Sequence, residues 1–417
     1  MKKIIFIISL LIFVSLAEGQ ILKKIGDRVK NKAENKVNNK VDNTVDKTVD
    51  DASDAKKENE EKGTDINSSA TDPAVKSNAS SGNIKAYSKY DFVPGEKIIV
   101  FEDFMQDAIG DFPDKWNTNS SGEIVTIEGK QGHWLKMTKG VYMPEFIDSL
   151  PADFTFEFDL LVNARAHSWG IDAALAELPK RDDLTGWTES QNYLNVNLLP
   201  QAEGGGQSYY QRRKAGTYDQ SPTMKTNCFT DITRPVHVAM WRQKERLRVY
   251  MNEDKVFDVP KAIDPQASLN AFLFSIISVG EWNFFASNLR LAVGAPDTRK
   301  KILEQNRWVT HGILFDVNSD KIKPESYGTL KEMANVLKEV PDLKVKIVGH
   351  TDADGNDAAN LDLSKRRAAA VKVSLSKDFG IDESRMETDG KGESVPIDKN
   401  DTSSGKANNR RVEFIKM

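Results

Sequence analysis

Alternation of apolar and polar positions dominates the middle of the chain. In DFTFEFDLLV (153–162), Phe154, Phe156 and Phe158 alternate with polar residues, which predicts a half-buried strand. YLNVNLL (193–199), PVHVAMW (235–241), RLRVYMN (246–252), AFLFSII (271–277) and NLRLAVG (288–294) predict further strands. Asn252-Glu253-Asp254 is a turn that returns the chain through Lys255-Val256-Phe257 as a hairpin. Pro94-Gly95 precedes the apolar strand Ile98–Phe101. No segment of 90–295 keeps a 3.6-residue period. Short strands separated by turn clusters predict an all-β sandwich there.

The period changes after Pro296. Residues 296–306 are expected to be a linker, and 307–417 an α/β domain of βαβαβ order. THGILFD (310–316) predicts the first strand. Pro324 opens a helix and Pro341 closes it, with Tyr327, Leu330, Met333, Leu337 and Val340 spaced by threes and fours between them. Leu343, Val345 and Ile347 alternate with lysines as a second strand. A second helix carries Leu361, Ala368, Val371 and Leu375, with Gly380 at its C-cap. RVEFIK (411–416) is the last strand.

The beginning of the chain has a different grammar. Lys2 and Lys3 precede the apolar run Ile4–Ala17, and Ala17-Glu18-Gly19 places small residues for a cut before Gln20. A bilayer span needs ~20 apolar residues, so 1–19 is expected to be a signal peptide that is removed on export. In 20–50, Ile21, Ile25, Val29, Ala33, Val37, Val41, Val45 and Val49 recur every fourth residue among Lys, Asn, Asp and Thr. On a helix such a stripe drifts ~40° per step, so it does not make a left-handed coiled-coil seam. A disordered or partly helical spacer is expected, the alternative being a helix that wraps a partner or lies on a membrane. Residues 51–89, rich in Asp, Lys, Glu, Ser and Asn, are expected to be a flexible linker.

Composition removes several function classes. Net charge is −4, from 58 Lys+Arg against 62 Asp+Glu, which gives no electrostatic case for a nucleic-acid partner. Cys228 is the single cysteine, so an intramolecular disulfide and a CxxC zinc site are both excluded. An outer-membrane barrel over 90–295 is a third architecture, but RQKERLRVYMNEDK (242–255) places many charges in and around a strand.

Four motifs, GHTDADG (349–355), NLDLSKRRAAAV (360–371), GIDESRMETDGKGESVP (380–396) and NDTSSGKANNRRVEF (400–414), occur in the order and spacing of one family. Over roughly 307–417 the chain resembles the C-terminal domain of the OmpA/MotB family, which binds peptidoglycan without covalent attachment. A diaminopimelate stem peptide presents an ammonium and a carboxylate on one carbon, so its pocket needs a fixed carboxylate and a fixed guanidinium. The resemblance assigns these roles to Asp352 and Arg367. A planar guanidinium fork can hold a carboxylate with two hydrogen bonds. The same motif alignment places Asn318, Thr351, Asn360 and Arg410 around the pocket as polar contacts. Bland alternatives stand beside these roles: an internal Asp352–Arg367 salt bridge, and a helix-start cap for Asn360. Arg411 is expected to serve a surface or strand-pairing role rather than to contact ligand, and His350 to support its loop.

The middle region is similar, more patchily, to laminin-G/concanavalin-like jelly rolls through VHVAMWRQKERLRVYMNEDKVFDVP (236–260) and FFASNLRLAVG (284–294). Such folds often bind carbohydrate, so a glycan partner is a secondary expectation for this domain. Trp169, Trp187, Tyr193, Tyr209, Tyr210 and Trp282 could stack on sugars or serve the core. Glu157 and Asp159 share a strand face, but the ExDxxE pattern of some jelly-roll glycosidases ends here in Val162. No catalytic residue, cofactor or metal site is therefore expected. DADGND (352–357) and DVNSDK (316–321) lack the Gly and Glu of a calcium loop. The expected protein is a non-catalytic tether or scaffold of the periplasm, associated with cell wall or outer membrane and open to an envelope-protein partner. The alternative is a wall-anchored carbohydrate-active enzyme or carbohydrate-binding protein acting through the middle domain.

Overall fold

A computed structural model describes residues 90–165, 170–200, 205–277, 282–294 and 297–417. The expected signal peptide, spacer and linker, and Trp169, lie outside the described residues. In chain order the first strands are β1 (Lys97–Glu102), β2 (Trp116–Thr118), β3 (Gly122–Val125), β4 (Trp134–Met137), β5 (Gly140–Pro144), β6 (Asp153–Val162), β7 (Ile171–Ala176) and β8 (Tyr193–Pro200). They are followed by β9 (Gly206–Lys214), β10 (Thr217–Gln220), β11 (Met224–Thr226), β12 (Val236–Gln243), β13 (Arg246–Met251), β14 (Asp254–Val259), β15 (Ala271–Ile276) and β16 (Phe284–Val293).

These strands form two antiparallel sheets. One runs β14-β13-β12-β6-β16-β4-β3, with β1 also on β16, and the other runs β10-β9-β8-β7-β15-β5-β2, with β11 also on β9. Their apolar faces share one core. Phe156 and Phe158 of β6 meet Phe272 and Phe274 of β15 across it, with ring centroids 4.3 Å apart for Phe156–Phe272 and 5.1 Å for Phe158–Phe274. This is a sandwich, as the alternation predicts.

The half-buried expectation for 153–162 fails on one point. Thr155 and Glu157, on the reverse face of β6, are buried as well. The reason is that the C-terminal domain and the segment entering the sandwich cover this face. Thr155 Oγ1 accepts the Gly95 amide at 2.9 Å. Arg290 holds Glu157 through Nε at 2.9 Å and Nη2 at 2.5 Å, and its Nη1 donates to the His311 carbonyl of the next domain at 3.0 Å. His237 lies between Glu157 (3.3 Å) and Asp159 (2.8 Å), and Asn288 donates to Asp159. The two carboxylates weighed above as enzyme candidates are thus committed to a buried charge cluster.

The C-terminal domain contains α1 (Thr298–Glu304), β17 (Arg307–Thr310), α2 (Tyr327–Glu339), β18 (Val345–His350), α3 (Asp357–Phe379), β19 (Met386–Gly392), α4 (Ser403–Asn409) and β20 (Val412–Lys416). Its sheet runs β17-β20-β18-β19, with β18 and β19 parallel and the other pairs antiparallel. Three sequence expectations need correction. Within the expected linker, Asp297 caps the short helix α1 by accepting from the Lys300 amide. The strand placed at 310–316 is β17, shifted toward the N-terminus, and Phe315 makes only an isolated bridge to Ile322. β19 was not anticipated as a strand.

The sandwich and this domain belong to one compact unit. Tyr90 and Phe92 pack with Ala239, Tyr250, Trp241 and Tyr327. Gly328 is required where α2 meets this segment, because a Cβ there would overlap the Phe92 carbonyl. Asn408 exchanges two hydrogen bonds with the backbone of Ile98, at 3.0 and 2.9 Å. Lys301 pairs with Glu96 across the same boundary.

Candidate functional site

The site is assembled where β18 ends and α3 begins. Gly349 lets α3 lie directly against β18, since a Cβ at that position would overlap the Ser364 carbonyl. Two residues beyond the strand come Thr351 and Asp352, both buried. Asn356 caps α3 by accepting from the amides of Ala358 and Ala359. The cap is therefore Asn356, and Asn360 is free for another task. Its Nδ2 donates to the carbonyls of Asp354 (3.1 Å) and Asp352 (3.4 Å) and to Glu393 (2.6 Å), which ties the loop to the helix.

Asp352 meets an arginine, but not Arg367. Its Oδ2 accepts from Arg410 Nη1 at 2.5 Å, and its Oδ1 accepts the Asp354 amide at 3.2 Å. Arg367 approaches from α3 and donates to two backbone carbonyls, Ser319 at 2.9 Å and Asp316 at 3.4 Å, while its guanidinium lies 4.9 Å from the centre of the Phe315 ring. No carboxylate hydrogen-bonds to it among the described residues. Burial pushes its pKa down to about 10, Arg410 adds repulsion, and Asp352 opposes both. Asp352 therefore lies near two guanidiniums, with the Glu393 carboxylate on Asn360 and the Lys406–Asp354 pair close by.

The other expected residues divide. Thr351 Oγ1 is buried with no hydrogen-bond partner, although its amide is held by the Gly392 carbonyl at 3.0 Å. Asn318 is exposed, with φ of 53°, in the loop that Arg367 braces through Ser319 and Asp316. Arg411 is fully covered and spent on Glu413 (2.7 Å), Asn409 O and Val395 O. His350 is buried beside Glu413 at 3.3 Å, and burial pushes its pKa down to about 4. Sequence reading missed Glu393, Phe315 and the rim pair Lys406–Asp354 (2.7 Å). It also missed Phe101 of the sandwich, whose ring centre lies 5.1 Å from the Arg410 guanidinium. No local pattern announces Phe101, because its role comes entirely from the packing of two domains.

In the middle domain most of the aromatic candidates are structural. Trp187 and Tyr193 pack edge to face at 5.5 Å in a buried cluster, Tyr210 packs on Phe257, and Trp282 packs on Phe284. Tyr209 is half-buried. It lies near Asp172, whose carboxyl burial pushes up to about 6 while Asn195 and Asn197 donate to it at 2.8 and 2.9 Å.

Residues 314–410 match the family described as the OmpA family. The C-terminal domain is thus OmpA-like. Among similar proteins, outer membrane porin F of Pseudomonas aeruginosa is 42% identical over 101 residues, covering 24% of this chain and 29% of that protein. Outer-membrane lipoprotein YfiB of the same species is 38% identical over 103 residues, covering 25% of this chain and 61% of that protein. The chain spans less than two thirds of the length of either. The solved peptidoglycan-associated lipoprotein of Burkholderia pseudomallei is 30% identical, with a TM-score of 0.24, over 25% of this chain and 88% of that one.

Proposed function

We propose that the chain is an exported envelope protein whose C-terminal domain binds peptidoglycan non-covalently, through the zwitterionic end of a diaminopimelate stem peptide. The observation that carries this reading is the unequal partnering of the two arginines: Arg410 holds Asp352, whereas Arg367 hydrogen-bonds only to backbone carbonyls. Asp352 is anchored by Arg410 and a backbone amide and keeps further acceptor capacity for an ammonium. Arg367 is partly buried without a hydrogen-bonded carboxylate, so a ligand carboxylate would supply the counter-charge it lacks. Asn318, exposed on the loop that Arg367 braces, is a polar group available to the same ligand, whereas the Thr351 hydroxyl is buried. Asn360 holds the loop in place, and Arg410 holds Asp352. The family likeness supports the same reading, and an OmpA-like domain in a secreted chain fits an address at the cell wall or outer membrane.

The test is binding of the purified full chain to a soluble meso-diaminopimelate stem peptide, together with co-sedimentation with insoluble peptidoglycan. Asp352→Ala and Arg367→Ala should each weaken binding more than about tenfold, the low end of what losing one partner of a desolvated charge pair costs. Arg367→Lys should be nearly as damaging, because an ammonium cannot make the planar two-bond contact. A lysine-containing stem peptide, which lacks the second carboxylate, should bind the wild type more weakly. Folded single variants with wild-type affinity would overturn the assignment.

A further inference from the structure

β1 joins the sandwich sheet on one side only, through β16, so its other edge has backbone groups to satisfy. The C-terminal domain satisfies them with α4. Ser404 and Asn408, one helical turn apart on α4, both face β1. Ser404 Oγ accepts the Phe101 amide at 3.0 Å, and Asn408 takes both backbone groups of Ile98. Asn408 is itself buried, as are Ile98, Ala292 and Ala407 around it. Two residues beyond Asn408 the chain reaches Arg410. The Arg410 guanidinium then lies over the Phe101 ring at 5.1 Å and reaches Asp352 at 2.5 Å.

We infer that sandwich strand β1 is a working part of the peptidoglycan cleft, with Phe101 as a positioning residue that holds Arg410, and through it Asp352, in the binding arrangement. The inference rests on the peptidoglycan reading of that cleft. The face of an aromatic ring attracts a guanidinium and restricts its rotamers. A guanidinium fixed in this way presents one N–H to Asp352 Oδ2, and with the Asp354 amide on Oδ1 each oxygen keeps a lone pair for a ligand ammonium. Without the ring, Arg410, whose side chain is 36% exposed, gains alternatives in solvent and the carboxylate loses its orientation. The sandwich then sets the affinity of a site that contains none of its own polar side chains.

The experiment measures affinity of the full chain for the meso-diaminopimelate stem peptide by calorimetry, with thermal unfolding recorded for every variant. Phe101→Leu keeps an apolar side chain but removes the aromatic face, and should weaken binding about three- to tenfold, the range of a partly buried cation–aromatic contact. Phe101→Tyr should restore wild-type affinity. In an Arg410→Ala background, Phe101→Leu should change affinity no further, because its effect runs through that arginine. Wild-type affinity for Phe101→Leu, while Asp352→Ala loses binding, overturns the positioning role and leaves the cleft reading intact. An equal loss from Phe101→Leu with and without Arg410 also overturns it. Wild-type binding by Asp352→Ala overturns the cleft reading itself.

Discussion

Raising the pH above neutrality should destabilise this protein through His237, a largely covered residue of β12. Its imidazole sits between Asp159 at 2.8 Å and Glu157 at 3.3 Å. Burial alone would lower its pKa, but hydrogen bonds and charge from the two carboxylates outweigh that and raise it to about 10. The ordinary value is about 6.5. Between those limits the folded protein keeps a proton that the unfolded chain releases, so stability falls as pH rises. The contribution is complete below about pH 6.5 and is lost as pH climbs through about 10. While one proton separates the two states, each pH unit costs about 1.4 kcal/mol, so pH 7 to 9 should remove on the order of 2–3 kcal/mol. Urea unfolding at intervals from pH 7 to 9 measures the slope directly. His237→Gln should be less stable at pH 7, because Asp159 and Glu157 lose a cation, yet its stability should change less across the same interval. Imidazole NMR signals supply a measurement without mutation, and should show no titration of His237 below about pH 9. Parallel wild-type and His237→Gln profiles, or a His237 resonance titrating near 6.5, would refute the reasoning.

Further expectations concern the frame around the cleft. Gly328→Ala drives a methyl into the Phe92 carbonyl and should cost on the order of 2 kcal/mol, read by thermal unfolding of the full chain. Arg385 donates to the carbonyls of Leu337 (2.7 Å), Val340 (2.8 Å) and Leu343 (2.9 and 3.1 Å), closing the end of α2. Arg385→Ala should therefore cost on the order of 2–3 kcal/mol by chemical denaturation, with Lys recovering only part.

What the sequence shows of this fold follows from which forces are local. The Phe154, Phe156 and Phe158 alternation identifies β6 and its core face, because a strand's period is written in its own residues. It cannot reveal that Thr155 and Glu157 are covered too, since the cover comes from residues remote in sequence, Gly95 on Thr155 and His237 and Arg290 on Glu157. METDGKG (386–392) hides β19 because Met386 is its only large apolar residue, and parallel pairing with β18 makes it a strand. TRKKILE (298–304) is too short for a periodic signal, with only Thr298 and Ile302 buried. At the cleft, the family resemblance implies that Asp352, Arg367 and Arg410 are neighbours. Which arginine meets the carboxylate depends on loop conformations that spacing does not encode, and it proves to be Arg410.

The wedge formed by Tyr90 and Phe92 also has a mechanical consequence. The described chain enters the fold beside α2, at Gly328 and Tyr327, rather than at the far side of the sandwich. A load applied to this segment would therefore be shared between α2 and sandwich strands β12 and β13, because Tyr90 and Phe92 pack on Ala239, Trp241 and Tyr250 as well as beside Tyr327. Asn408 and Arg290 join the same two domains at separate points, so the wedge is one of several ties that make them move as one piece.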